Sequence, residues 1–260
     1  MWTKDSGEKC RYRIVSMRAV KRAFAMLLIL ALLGGCSKAS AEDEEVTSKD
    51  GADFVDVSEY AQINSDVFAW VRIPETGIDY PILQSSDGDD SFYKTHDYMK
   101  RDDPKGSIYI EAANLNDMCD FNEVLHGSSP EDGTMFAPLS GFLDESFMDE
   151  HKYVYVYMQG NALIYYIFAA YTRDDTRLLE QYDFTYASGC QAYLDEIYSK
   201  KMGKVIREGW ENQVQPDNFI ITLTTTDNAS GKQLVVVGCL VGDIAGRIDR
   251  YVDYGDPDEY

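Results

Sequence analysis

Among the side chains of this 260-residue chain that could do chemistry, His126 is a candidate base, and Ser128, Thr226 and Gln233 are polar residues singled out by the resemblance of the segments around them to a known family. Each lies at or just beyond the end of a short run of residues that is typical of a β-strand. A histidine beside a hydroxyl can activate it, because serine and threonine become nucleophiles only when a base takes their proton. Ser128 is no such base, since it does not titrate in the useful range, and Gln233 donates hydrogen bonds without charge. On a strand, residues 126 and 128 would face the same side, about 6–7 Å apart.

The cysteines are the other candidate nucleophiles. Cys119, Cys190 and Cys239 follow the N-terminal region, and three cysteines make neither a disulfide framework nor a zinc cluster. Cys119 and Cys190 have no histidine or arginine close in sequence. Cys239 lies six residues beyond Gln233 on one predicted strand, about 20 Å away, which favours a buried structural thiol. The spacing leaves a disulfide between any two of these cysteines open.

Two acidic stretches, residues 87–90 and 253–259, could supply oxygen ligands for calcium. Neither has the alternation and the closing glutamate of an EF-hand loop. The first is more typical of a solvated turn, and the second of a disordered acidic tail over residues 249–260. No glycine-rich loop of the phosphate-binding kind is present. We therefore expect no cofactor and no metal.

The elements that must position these side chains are mainly strands. Helical spacing of apolar residues from Phe54 to Ala61 predicts a short helix that ends before Asn64. A longer helix is predicted from Gly189 to Met202, before the penultimate strand. Many short strands with one late helix predict a mainly β domain over residues 52–248, a closed β-barrel of about eight strands with helical decorations. The strands are predicted at residues 70–73, 80–83, 107–110, 123–126, 153–158, 164–171, 219–223 and 234–241.

The first 35 residues are typical of a bacterial lipoprotein signal. Three basic residues between 18 and 22 precede an apolar run that ends in Leu33-Gly34-Gly35-Cys36. The run is short for a membrane span and suits a signal-peptide core. We expect cleavage before Cys36 and lipidation of its sulfur, which would hold the protein on the extracellular face of the cytoplasmic membrane. The alternative is an ordinary secretory signal with a chance cysteine, and Met17 is the better candidate for the true start.

Charge limits the partners. Seven of 24 basic and two of 45 acidic residues precede residue 36, so the remainder has 17 against 43, a formal charge of −26. Nucleic acid is therefore excluded, because it requires a basic surface. Direct adhesion to anionic lipid is excluded in the same way, so membrane contact is expected through the anchor alone. Residues 36–51 are small and acidic and indicate a flexible linker.

Segments from about residue 55 to 243 resemble the class B sortases, in the family's order and with compatible spacing. Tyr93-Lys94-Thr95-His96-Asp97 is similar to the family's Tyr-Leu-x-His-Asp, and Thr222-Leu223-Thr224-Thr225 to its Thr-Leu-Ser-Thr. No single segment is decisive, but together they are specific. The other segments that carry the resemblance are Ile63–Ile73, Ile78–Gln84, Gly106–Ile110 and Asn122–Gly127 leading into Asp132–Phe136.

The resemblance implies a cysteine transpeptidase fold with altered catalytic positions. In the family a cysteine thiolate attacks a sorting-signal peptide bond, a histidine exchanges protons and an arginine steadies the substrate or oxyanion. Where the family has Tyr-Gly-His-Asn, this chain has Ser128 at the histidine position. Thr226 stands at the cysteine of Thr-Leu-x-Thr-Cys, and Gln233 at the arginine of Arg-x-Val-Val. A threonine hydroxyl is far less acidic than a thiol, so none of the three side chains can take over the family role unaided.

We therefore expect a catalytically inactive, lipid-anchored surface protein of a Gram-positive bacterium. Its groove around Ser128, Thr226 and Gln233 would bind a peptide, such as a sorting-signal-like segment, or a surface protein. The alternative is an active, cysteine-independent transpeptidase or peptidase that uses His126 as a substitute base near Thr226. In the non-catalytic interpretation, His126 fills the slot of the family's tyrosine as a hydrogen-bonded aromatic side chain.

Overall fold

The computed structural model describes residues 54–199 and 203–244. The predicted signal peptide, the lipidated Cys36, the linker and the acidic tail lie outside the described residues. In the described ranges no helix is long and apolar enough to cross a bilayer.

Nine strands and four short α-helices make up the described chain. The helices are α1 (Val57–Ile63), α2 (Glu145–Glu150), α3 (Leu178–Gln181) and α4 (Ala187–Tyr198), with 3₁₀ turns at Phe92–Lys94 and Ala137–Leu143. The strands are β1 (Val67–Ile73), β2 (Ile78–Leu83), β3 (Ile108–Ile110), β4 (Asn122–His126), β5 (Tyr153–Met158), β6 (Asn161–Arg173), β7 (Val205–Ile206), β8 (Ile220–Thr226) and β9 (Gln233–Asp243).

Eight of the strands close into a barrel. Their order is β5-β1-β2-β3-β4-β8-β9-β6, and β5 also pairs with β6, which joins the two ends; β7 adds to β6 outside the ring. The pairs β2–β3 and β4–β8 are parallel, and the others are antiparallel. This confirms the predicted mainly β, closed-barrel fold with an N-terminal helix and a helix before the penultimate strand.

Two apolar layers hold the barrel together. Alternate residues of β1 are buried, so one face of that strand points into the barrel, where Val71 packs with residues such as Leu125 and Val236. The other layer lies between the barrel wall and α4, where Tyr193 and Leu194 pack with residues such as Val235. The first six residues of β8 are buried because the strand is covered on both faces. The strands that carry the site are therefore parts of the buried core.

The element boundaries differ from the sequence predictions at the ends. Helix α1 begins at Val57 rather than Phe54, because Asp56 is its N-cap and its carboxylate accepts a hydrogen bond from the Ser58 backbone N–H at 3.0 Å. Helix α4 begins at Ala187 and ends at Tyr198, four residues before the predicted end at Met202. Strands β6 and β9 are longer than predicted, and α2, α3 and β7 were not predicted.

Candidate functional site

A pocket of about 530 Å³ lies across the ends of β4, β8 and β9. Strands β4 and β8 are parallel, so their C-terminal ends meet at one edge, where His126 pairs with Thr224. Strand β9 begins at the same edge, and Gln233 pairs with Thr226. His126, Ser128, Thr226 and Gln233 all line the pocket. The structure thus brings these four side chains together.

Uncharged side chains occupy one part of the pocket, which we call the neutral half: Ser128, Thr226 and Gln233. The Ser128 hydroxyl donates a hydrogen bond of 2.6 Å to the Lys105 carbonyl oxygen. Thr226 is exposed at the last position of β8. Gln233 is buried, and its Oε1 accepts a hydrogen bond of 2.7 Å from Nη1 of Arg173. None of the three side chains titrates near neutral pH, so the neutral half offers hydrogen bonds rather than proton transfer.

His126 is held on three sides. Its ring stacks on that of Tyr109, with centroids 5.2 Å apart and planes 23° from parallel. Its Nδ1 lies 2.9 Å from Oγ1 of Thr224, and its Nε2 lies 3.0 Å from Oε1 of Glu111. Among the described hydrogen bonds, the hydroxyl that reaches the imidazole is that of Thr224, whereas the sequence had suggested Thr226. These contacts are the ones expected of a packed, hydrogen-bonded aromatic side chain.

Glu111 and Arg177, which sequence analysis missed, complete the pocket. Together with Asp90 and His126 they form what we call the charged half. Nη2 of Arg177 lies 2.5 Å from Oε2 of Glu111 and 2.7 Å from Oδ2 of Asp90. The side chain of Glu111 is only 5 % exposed. Burial opposes its ionisation, but the hydrogen bonds and charges of His126 and Arg177 prevail and lower its pKa to about 2. Glu111 is therefore an anion at neutral pH, neutralised from within the protein.

One weak signal could have found these residues. Glu111 directly follows β3, as functional carboxylates at strand ends do, but Arg177 lies in an acidic loop without a motif. The two residues are 66 positions apart, so only the fold pairs them.

Cysteines are absent from the lining of this pocket. Cys119, Cys190 and Cys239 are all free thiols, so the described chain contains no disulfide among them. Cys239 is buried, and burial raises the pKa of its thiol to about 12. Its side chain packs in the layer beneath α4, in keeping with a structural role.

Two carboxylates of the acidic stretch at residues 87–90 accept hydrogen bonds from other residues of the protein. Asp89 accepts hydrogen bonds from the backbone and hydroxyl of Ser91, and Asp90 accepts one from the Ala112 backbone N–H and one from Arg177. Within residues 54–199 and 203–244, no group of three His, Cys, Asp or Glu side chains could hold a metal ion. The stretch at 253–259 lies outside the described residues.

A closed eight-stranded barrel with its pocket across these strand ends is the sortase fold, as structural comparison shows. The Clostridium perfringens sortase B structure superimposes with a TM-score of 0.62 and 28 % identity, over 70 % of this chain and 98 % of that one. The Staphylococcus aureus sortase B–substrate complex gives a TM-score of 0.61 and 27 % identity, over 71 % and 83 % of the two chains.

Sequence comparison gives the family. The chain is 32 % identical over 207 residues to sortase B of Listeria monocytogenes, covering 77 % of this chain and 80 % of the relative. It is 28 % identical over 183 residues to sortase B of Staphylococcus aureus, covering 69 % and 72 %. No protein-family model matches the chain. By its similarity to the Listeria protein, the chain belongs to the sortase B family.

Proposed function

We propose that this sortase B family member binds a peptide, or a segment of a surface protein, without performing sortase transpeptidation. The observation that carries the proposal is the composition of the pocket. It is lined by Ser128, Thr226 and Gln233, contains no cysteine, and holds its one imidazole between Glu111 and Thr224. A thiol nucleophile and an imidazole without protein contacts are thus both missing from its described lining.

Peptide binding is the property that the fold supports in the absence of that chemistry. One similar structure is a sortase B–substrate complex from S. aureus, and another is a sortase B complexed with triglycine. In this chain the corresponding fold keeps an open, partly polar pocket, and such concave sites are the usual places for ligands. The ligand would be held by hydrogen bonds, with no acyl intermediate.

The proposed location is the extracellular face of the cytoplasmic membrane, with lipid on Cys36. It is supported by the Leu33-Gly34-Gly35-Cys36 sequence after a short apolar run. The two acyl chains of a diacylglyceryl group give stable attachment where one gives only weak attachment. Mass spectrometry of the membrane fraction should find a lipidated Cys36 as the first residue. Release of the unmodified protein into the medium would contradict this part of the proposal.

The test of inactivity is a turnover assay on the full chain, with fluorogenic sorting-signal peptides as donors and triglycine as acceptor. S. aureus sortase B serves as the positive control. We expect no cleavage and no transfer by the wild-type protein. Turnover that disappears in Thr226→Ala would contradict the proposal.

A second candidate function, cysteine-independent peptide hydrolysis, is favoured by the chain Glu111–His126–Thr224. A carboxylate at Nε2 favours the tautomer that leaves Nδ1 to accept the hydroxyl proton of Thr224. This order of acid, base and hydroxyl is that of a hydrolytic triad. Against it, Thr224 is 2 % exposed, and its hydroxyl also lies 3.1 Å from the Leu125 carbonyl. Peptide hydrolysis that is lost in both His126→Gln and Thr224→Val would establish this function in place of the first.

A further inference from the structure

Gln233 has a fixed orientation, because the group behind it can only donate. Arg173 and Gln233 are opposite each other in the β6–β9 pairing. Nη1 of Arg173 lies 2.7 Å from Oε1 of Gln233, and both side chains are buried there. A guanidinium has five N–H donors and no acceptor, so it must face the oxygen of the amide rather than the nitrogen. The amide NH₂ of Gln233 therefore points away from Arg173.

Arg173 is itself held in place by the elements behind the pocket. Its Nε donates to Oε1 of Glu196 on α4 at 2.8 Å, and Nη1 also donates to the Thr176 carbonyl at 3.0 Å. Its Nη2 donates to Oε1 of Gln181 on α3. The side chain is only 5 % exposed. A buried guanidinium with this many partners has no freedom to release Gln233 or to enter the pocket.

We infer that Arg173 is a positioning residue that turns the NH₂ group of Gln233 toward the pocket, where it binds a backbone carbonyl oxygen of an extended peptide. Gln233 is part of the pocket wall, and its register partner Thr226 is exposed beside it. The site thus presents a neutral donor, where the family's arginine would present a cation. This inference rests on the proposed peptide-binding function and specifies which group of the ligand is recognised.

The test uses the full chain and capped triglycine, N-acetylated and C-methylamidated, which offers only backbone groups. Binding is followed by NMR, with the side-chain amide resonance of Gln233 assigned by its loss in Gln233→Glu. We expect this resonance to shift during the titration. We also expect Gln233→Glu to keep the wild-type melting temperature or raise it, since a carboxylate still accepts from Arg173. Its affinity should fall by about 5- to 10-fold, because one hydrogen-bond donor to the ligand is lost.

Two further variants separate positioning from a structural effect. Gln233→Met removes the donor without adding charge and should weaken binding as Gln233→Glu does. Arg173→Lys keeps a donor to Oε1 of Gln233, so the Gln233 amide resonance of this variant should still shift when peptide is added. Equal affinity of wild type and Gln233→Glu, or an unmoved amide resonance, would overturn the inference and leave the proposed function standing. Failure of the wild-type protein to bind any peptide would overturn both.

Discussion

The two halves of the pocket differ in where their charges lie. In the charged half, Glu111 and Arg177 face the pocket itself and neutralise each other there. In the neutral half, the only guanidinium, that of Arg173, lies behind the wall and reaches Gln233 from outside the pocket. The charges of Glu111, Arg177 and Arg173 are thus paired within the protein, so no charged group of either half is left over for a reaction.

The largest effect should come from removing the cation behind the neutral half. Arg173→Met leaves the largely buried Glu196 without its guanidinium partner, and breaking a buried pair costs about 3–5 kcal/mol. Urea denaturation should show a loss of this size. The control is Gln233→Glu, which keeps the bond to Arg173 and should lose no stability. A loss below about 1 kcal/mol in Arg173→Met would mean that the pairing behind the neutral half is unimportant.

The second prediction concerns an arginine at position 233, where the resemblance to the class B sortases predicts the family's arginine. Gln233→Arg would place a second guanidinium against Arg173, whose Nη1 lies only 2.7 Å from Oε1 of Gln233 in the wild-type protein. Like charges in a buried site repel, so we expect a loss of about 2–3 kcal/mol. Introducing the three residues that the resemblance predicts at these positions, as Ser128→His, Thr226→Cys and Gln233→Arg, should therefore yield an unstable and inactive protein. A stable, active triple variant would show that the pocket can accommodate a second guanidinium beside Arg173.

The third prediction concerns the carboxylate of the charged half. Glu111→Gln should cost about 1–3 kcal/mol at neutral pH, since a charge-assisted contact to Arg177 is lost. The control is Asp175→Asn, an exposed pocket residue, with an expected change within about 0.5 kcal/mol.

The pH dependence of the stability of Glu111→Gln tests the ionisation of Glu111 directly. The pKa of Glu111 is lowered from its ordinary value of 4.5 to about 2 in the folded protein. A lowered pKa contributes stability that is present above 4.5 and is lost as pH falls toward 2. The difference between wild type and Glu111→Gln should therefore shrink over this window. A difference that grows on acidification would mean that Glu111 is not ionised in the fold.

The fourth prediction compares two threonines of β8. Thr224→Val removes a hydroxyl that lies 2.9 Å from Nδ1 of His126 and 3.1 Å from the Leu125 carbonyl, and should cost about 1–2 kcal/mol. Thr226→Val changes an exposed residue and should stay within about 0.5 kcal/mol. Thermal melts of both variants give the comparison. Equal losses of stability in the two variants would show that the contact between the Thr224 hydroxyl and the His126 imidazole adds no stability.

The smallest effect is expected from thiol modification, which should spare the pocket. At pH 8, iodoacetamide should label the partly exposed Cys119 well before Cys190 and Cys239, which are buried. The raised pKa of Cys239 further limits its thiolate. Peptide mapping by mass spectrometry gives the order of labelling. Peptide binding should survive labelling of Cys119; its loss would place a thiol in the binding site after all.

Strand prediction from sequence was accurate where β-branched and aromatic residues alternate without interruption. The run from Tyr153 to Met158 was predicted with the bounds that the structure shows, because β-branched and aromatic residues alternate there. Helix α3 and strand β7 have four and two residues, too few for any period to be recognised. The predicted end of α4 failed because apolar spacing continued past Tyr198, while the helix stops at Ser199.

The sequence by itself determined the chemical identity of the neutral half. Ser128, Thr226 and Gln233 carry no charge whatever the fold, and the resemblance of the sequence to the class B sortases predicted that they lie together. Only the tertiary structure decided what surrounds them. The parallel register of β4 and β8 sets Thr224, not Thr226, against His126, and the β6–β9 register sets Arg173 against Gln233. A shift of one residue in either register would turn these side chains to the other face of the sheet. Pairing between residues so far apart in the chain cannot be predicted from the local spacing of residues.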